Sequence, residues 1–122
     1  MNTNKACVSF GSIHCVGGGQ QFLERTLNKA QRAELQRLVE SQKSNPINIT
    51  LAQHSEKRLC GWTVFEEKTN GKYHRKGYTQ RLLLESPIKF IKRLCDKANK
   101  LKEKFQGDIK EELGLKEFEL NI

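Results

Sequence analysis

Apolar residues recur every three or four positions in the segment that begins at Ser86 and Pro87. A helix turns about 100° per residue, so this spacing gathers them on one helical face. Serine is a favoured N-cap and proline suits the first helical position, which predicts the start of the helix. Gly107 suits its C-terminal end. The predicted apolar face contains Ile88, Ile91, Leu94, Cys95, Ala98, Leu101 and Phe105.

A second amphipathic pattern covers residues 26–41, TLNKAQRAELQRLVES. Asn28 is a candidate N-cap, with Gln31 at the spacing of a capping box. The predicted apolar face contains Leu27, Ala30, Leu35, Leu38 and Val39. These two patterns predict the longer helices of the fold.

Strand patterns occur on both sides of this second helix. Residues 6–16, ACVSFGSIHCV, are rich in β-formers and predict a strand that ends at the glycines of residues 17–19. Ile47, Ile49 and Leu51 alternate with polar neighbours, as in a half-buried strand. Residues 52–60 are compatible with a loop or a helical turn.

The segments CGWTVFEEK and KYHRKGYTQRLLL flank the sequence TNGK and predict a β-hairpin. Asn70 and Gly71 form the dipeptide preferred in a two-residue type I′ turn. Gly77 predicts a bulge or bend in the second strand. Counting back from the turn pairs Lys68 with Tyr73, Glu67 with His74, and Glu66 with Arg75.

The C-terminal segment predicts two short elements. Asp108 and Glu111 stand at capping-box spacing in DIKEELG, which predicts a short acidic helix. Alternating Phe118, Leu120 and Ile122 predict a final strand. The predicted fold for residues 1–122 is a single α+β domain, with a small, mainly antiparallel sheet of four or five strands packed against two longer amphipathic helices.

The charge is concentrated in one part of this fold. The 122-residue chain has a formal net charge of +8, and residues 68–104 hold twelve Lys and Arg against three Asp and Glu. On the predicted last helix, five cations lie within an arc of about 80° and span about 22 Å. Asp96 and Glu103 flank this arc without entering it. The five are Lys89, Arg93, Lys97, Lys100 and Lys104.

The predicted hairpin adds cations that alternate with aromatic rings, among them His74. Cations contact phosphates while rings stack on bases, so this mixture is typical of nucleic-acid-binding surfaces. We therefore expect a non-catalytic protein that binds DNA or RNA through the helix and the hairpin. The expected binding residues are Lys72, Tyr73, Arg75, Lys76, Tyr78, Arg81, Lys89, Arg93, Lys97, Lys100 and Lys104.

Patterns typical of catalytic sites are missing from the sequence. His14 and Cys15 are adjacent on a predicted strand and point to opposite faces, as do Glu66 and Glu67. Neither a G-x-S-x-G elbow nor an H-E-x-x-H motif is present. We expect no enzymatic activity.

Cofactor and metal motifs are equally weak. The CVGGGQQ segment lacks the lysine and hydroxyl of a P-loop, which favours a flexible turn over a phosphate site. The cysteines form no C-x-x-C pair, so we expect reduced thiols, no metal and no cofactor. They are Cys7, Cys15, Cys60 and Cys95.

A protein-directed role is the alternative interpretation. In size, charge and lack of motifs the chain resembles small accessory proteins of phages and mobile elements, including anti-CRISPR inhibitors, and residues 27–41 resemble a helix of phage antirepressor C-terminal regions. This resemblance implies docking on an acidic or nucleic-acid-binding host protein. The sequence has neither a secretory signal nor a membrane-spanning run, so we expect a cytoplasmic protein.

Overall fold

The computed structural model describes residues 8–10 and 12–110, and the side chains of residues 12–110. Within these residues the strands are β1 (Val8–Phe10), β2 (Ile13–Cys15), β3 (Asn48–Ser55), β4 (Arg58–Glu66) and β5 (Tyr73–Thr79). The helices are α1 (Gly19–Thr26), α2 (Lys29–Ser41) and α3 (Pro87–Lys104). The predicted α+β class is confirmed.

The sheet has the order β1-β2-β3-β4-β5, with β5 at one edge. β2 and β3 pair in parallel, whereas the pairings β1-β2, β3-β4 and β4-β5 are antiparallel. Four strands, β2 to β5, form a mixed sheet that the three-residue β1 extends. The segment of residues 6–16, predicted as one strand, therefore contributes two short antiparallel strands.

Helix α1 is the element that the sequence analysis missed. It lies between β2 and α2, and the two helices together form the connection that a parallel β2-β3 pair requires. With α1, the described residues contain three helices rather than the two longer ones predicted. The predicted fold thus matches the structure only roughly beyond its class.

Helices α2 and α3 begin where their capping residues predict. Asn28 accepts a hydrogen bond from the Gln31 backbone N–H, and the Gln31 side chain accepts one from Asn28, which completes the capping box. Ser86 accepts a hydrogen bond from the Lys89 N–H, and Pro87 occupies the first helical position. These bonds satisfy N–H groups that a helix start leaves unpaired.

The helices pack on one face of the sheet around a single cluster of buried apolar residues. From α3 this cluster contains Ile88, Phe90, Ile91, Leu94, Cys95 and Ala98. Gly61 of β4 faces α3 and has no side chain, so the Leu94 methyl group approaches its backbone closely. The core therefore fixes how α3 lies across the sheet next to β5.

A part-buried amide cluster joins α3 to the segment that follows α2. Asn99 accepts hydrogen bonds from the side chains of Gln42 and Asn45, at 3.2 and 3.1 Å. Asn45 also donates to the Gln42 side chain, and the Gln42 backbone carbonyl accepts a bond from the Ser12 hydroxyl. Polar groups buried together in this way fix the orientation of the elements that carry them.

The β4-β5 hairpin differs in register from the prediction. Tyr73 pairs with Glu66, and a four-residue loop closed by a bond from the Glu67 N–H to the Lys72 carbonyl replaces the two-residue turn. Gly71 adopts a φ of 70°, which glycine tolerates at no steric cost. The shift of two residues preserves the face on which each side chain lies.

The structure differs from the sequence-based predictions at three further points. The ladder runs without a break through Gly77, so the predicted bulge is wrong, and β5 ends at Thr79 rather than continuing to Leu84. Residues 52–60 belong mainly to β3 and β4, joined by a tight turn. No helix in the described part of the chain is long and apolar enough to cross a membrane.

Asp108 does not begin a helix. Its carboxylate accepts hydrogen bonds from the backbone and hydroxyl of Thr69, at 2.7 and 2.6 Å, while Ile109 forms a bridge with Glu67. The segment after α3 therefore supports the β4-β5 loop. The rest of the predicted acidic helix, including Glu111, and the predicted strand with Phe118, Leu120 and Ile122 lie outside the described residues.

Candidate functional site

A cleft of about 430 Å³ opens between the edge strand β5 and helix α3. It brings together the two elements on which the sequence concentrates positive charge. Five of the expected binding residues line it: Arg75, Lys76, Tyr78, Lys97 and Lys100. Its other lining residues are Thr63, Phe65, His74 and Leu101.

Three ammonium groups define the electrostatics of this cleft. Lys97 and Lys100 lie about one turn apart on α3, and Lys76 projects from β5 on the face that packs against the helices. Within residues 12–110, no carboxylate lies within ion-pair distance of these lysines, since the ion pairs there involve other side chains. The cleft is therefore suited to an anion.

Aromatic rings form the floor of the cleft. Phe65 and His74 stack with ring centroids 4.4 Å apart, and Phe105 packs against both rings. His74 Nε2 also lies 2.5 Å from a carboxylate oxygen of Glu67. Because Phe65 is only 1% exposed, it supports the floor but offers no free face for a base.

Tyr78 is a ring of the cleft lining that lies near two cations. The Lys76 ammonium and the Arg93 guanidinium each lie 5.8 Å from its ring centroid. The ring is half-buried and also packs against the apolar core. Its position combines a flat surface with adjacent positive charge, which is the arrangement used to hold a base and its phosphate.

Arg93 differs from the other cations of the α3 stripe because it is paired. Its Nε and one terminal nitrogen donate to the two carboxylate oxygens of Glu85, at 2.7 and 2.9 Å. The same terminal nitrogen donates to the Thr79 carbonyl at the end of β5. These hydrogen bonds lower the pKa of Glu85 and raise that of Arg93. Asp96 and Glu103, the carboxylates that flank the stripe in the sequence, are therefore not the partners of Arg93.

Arg75 contributes to the lining, but its guanidinium group has another partner. It lies 4.9 Å from the centre of the Trp62 ring, in cation–π geometry. Val64, its neighbour across the ladder, does not belong to the core cluster beneath the helices. Trp62 is half-buried and also lies outside that cluster, whereas its size predicts a core position.

The remaining expected residues surround the cleft without lining it. Lys72 and Tyr73 are exposed at the hairpin loop, and Arg81 is exposed in the β5-α3 connection. Lys89 is exposed in the first turn of α3, and Lys104 is exposed in its last turn beside the Phe105 ring. The four cations among them add exposed positive charge outside the cleft.

Four cleft residues were not among the expected binding residues: Thr63, Phe65, His74 and Leu101. Thr63, Phe65 and Leu101 are not charged, and His74 was recognised only as a ring among the cations. Their presence in the cleft lining depends on the two-residue shift of the hairpin register and on the position of α3. The alternation of side chains along β4 and β5 was the available signal, since Thr63 and Phe65 share a face with Lys76 and His74.

The cysteines of the described segment are structural in character. Cys15, Cys60 and Cys95 are free thiols. Burial raises the pKa of Cys15 and of Cys95 to about 12, and it also raises that of the half-buried Cys60. In the part of the chain that the structure describes, no group of three or more His, Cys, Asp or Glu side chains is placed to hold a metal ion.

Comparisons with protein-family models, with curated proteins and with solved structures returned no match.

Proposed function

We propose that the protein binds nucleic acid without catalysis, and that the cleft between β5 and α3 holds the sugar-phosphate backbone. The observation that carries the proposal is the convergence of Lys76, Lys97 and Lys100 on one cleft, with no carboxylate of residues 12–110 within ion-pair distance of them. Phosphate contacts made by lysine supply most of the sequence-independent affinity for nucleic acids.

The size of the cleft is compatible with this ligand. A volume of about 430 Å³ lies within the range of small-ligand sites, roughly 300–1,000 Å³. It is sufficient for one nucleotide of a strand, whose base then lies against Tyr78 while the lysines contact phosphate. The exposed Lys89 and Lys104 continue the contact along α3 on either side.

The proposal extends over a limited part of the helix. Arg93 is already bound to Glu85, so the uncompensated members of the five-cation stripe on the C-terminal half of α3 are Lys97, Lys100 and Lys104. They cover about 10 Å along the helix axis. This length favours a short contact with a single strand, which the hairpin residues extend.

The test is the salt dependence of binding to DNA and RNA oligonucleotides. Replacing both Lys97 and Lys100 with glutamine removes two charges from the cleft at positions that make no ion pair in residues 12–110. The slope of log K against log salt should fall by about 2, and binding should weaken uniformly across sequences. The matched control replaces Lys29 and Lys57 with glutamine, since both are exposed and neither lines the cleft.

Equal losses in the two double variants would reject the cleft as the binding site, since only net charge would then matter. If the unmodified protein ignores every oligonucleotide at low salt, nucleic-acid binding itself is rejected. The anti-CRISPR-like alternative, in which the basic face docks on an acidic or nucleic-acid-binding host protein, would then replace it. That alternative requires a discrete complex with one host protein that the Lys97 and Lys100 substitutions weaken.

A further inference from the structure

The connection between β5 and α3 exposes three consecutive leucines at its turn. Leu82, Leu83 and Leu84 are 59%, 89% and 81% exposed. We refer to these three residues as the leucine tip. Single exposed apolar residues are ordinary on protein surfaces, but a contiguous apolar projection marks a contact with a protein or a membrane.

The fold holds the leucine tip outward by fixing both of its ends. Gln80, which is buried, donates to the Glu85 carbonyl and accepts from the Leu59 N–H. The Arg81 N–H donates to the Glu85 carboxylate, which Arg93 also binds. The chain therefore enters and leaves the tip at fixed points, and the leucines do not reach the core.

The surroundings of the tip are positively charged. Arg81 and Lys89 are exposed close to it in the chain, whereas the one carboxylate between residues 80 and 93, Glu85, is bound by Arg93 and its side chain is only 7% exposed. An apolar projection bordered by uncompensated cations is complementary to an anionic bilayer, where acyl chains receive leucine and phosphate groups receive ammonium and guanidinium.

We propose that the leucine tip inserts into the interface of anionic lipid membranes, with the flanking cations on the lipid headgroups. A convex tip needs no preformed pocket in a bilayer, whereas a protein partner must supply one. Two copies of this chain would oppose cations of the same sign around their tips. The inference concerns residues outside the cleft and does not depend on nucleic-acid binding.

The experiment is co-sedimentation with vesicles of phosphatidylcholine alone and with vesicles that contain about one third phosphatidylserine. The unmodified protein should sediment with the anionic vesicles and much less with the neutral ones. The double variant Leu83→Gln, Leu84→Gln preserves net charge, and its partition coefficient should fall at least about 10-fold. Both side chains are exposed, so its thermal unfolding should match that of the unmodified protein.

The double substitution of Lys97 and Lys100 by glutamine is the second variant. It leaves the tip intact, and its partition coefficient should fall less than that of the leucine variant. If the leucine variant sediments as well as the unmodified protein, the attraction is electrostatic alone and the insertion is refuted. If the unmodified protein fails to sediment with either vesicle, the lipid proposal is also refuted, and the tip instead fits an apolar pocket of a protein partner. The oligonucleotide assay is independent of both outcomes.

Discussion

Replacing Arg93 with alanine should destabilise the fold far more than an ordinary surface substitution does. The guanidinium binds both carboxylate oxygens of Glu85 and the Thr79 carbonyl, and the two side chains are 21% and 7% exposed. The alanine variant leaves the Glu85 carboxylate largely enclosed without its main cation. The Arg81 N–H remains as its hydrogen-bond donor.

The expected loss of unfolding free energy in this variant lies between two known limits. Exposed ion pairs contribute about 0–1 kcal/mol, whereas removing one partner of a buried pair costs about 3–5 kcal/mol. Partial exposure of Arg93 places this pair between those limits and nearer the second, so we expect a loss of about 2–4 kcal/mol. For a chain of 122 residues this corresponds to a fall in Tm of roughly 10 °C.

The assay is urea unfolding of the unmodified protein and of two single variants. Arg37→Ala is the matched control, because Arg37 pairs with Glu34 on the surface of α2, where their side chains are 68% and 32% exposed. Its loss should stay below about 1 kcal/mol. Similar small losses in the two variants would show that the Glu85–Arg93 pair behaves as a surface pair and would refute the reasoning.

The remaining predictions concern stability at acidic pH, the reactivity of the thiols and the packing of the core. Arg93 lowers the pKa of Glu85, so this carboxylate stabilises the fold above its ordinary pKa, and that contribution disappears as the pH falls through its lowered pKa. Unfolding curves from pH 6 to pH 3 should show this loss in the unmodified protein and a smaller one in Glu85→Gln. Among Cys15, Cys60 and Cys95, iodoacetamide should modify Cys60 first, as mapped by mass spectrometry of peptides, because the other two are buried. Gly61→Ala should cost about 1–3 kcal/mol in urea unfolding, because the new Cβ would lie 2.7 Å from a Leu94 methyl and 2.9 Å from the Thr50 carbonyl oxygen.

Local patterns were sufficient to predict the helices that begin at capping residues. Asn28 and Ser86 stand directly before amphipathic segments, and the information needed to place α2 and α3 lies within one turn of each. Helix α1 is only eight residues long and begins at the third of three consecutive glycines, so its sequence contains no comparable start signal. Tertiary contacts stabilise such a short helix more than its propensity does.

The hairpin register depended on a residue far away in the chain. Asn70 and Gly71 predict a tight turn on local grounds, but Asp108 binds Thr69 and so favours a wider loop. A contact across 39 positions leaves no local pattern. The unbroken ladder places Lys76 and Tyr78 on one face of β5, whereas the bulge predicted at Gly77 left the face of Tyr78 open.

The candidate site, too, could be predicted only where a local pattern in the sequence reports it. The density of cations from Lys68 to Lys104 is visible in the sequence, and five of the eleven expected residues line the cleft. The pairing of Arg93 with Glu85 could not be predicted, because the two residues are eight positions apart and a helix start intervenes. Exposure of the leucine tip was hidden for a related reason, since a run of leucines after a strand pattern suggests its continuation.

The Glu85–Arg93 pair joins two regions with different proposed ligands. Arg93 contacts the end of β5 through Thr79 and lies beside Tyr78 at the cleft, while Glu85 closes the chain behind the leucine tip. If two ligands bound on either side of this pair are coupled through it, each must change the affinity for the other by the same factor, because coupling between two sites is reciprocal. One ion pair thus connects the cleft proposed to hold a strand with the tip proposed to enter a lipid surface.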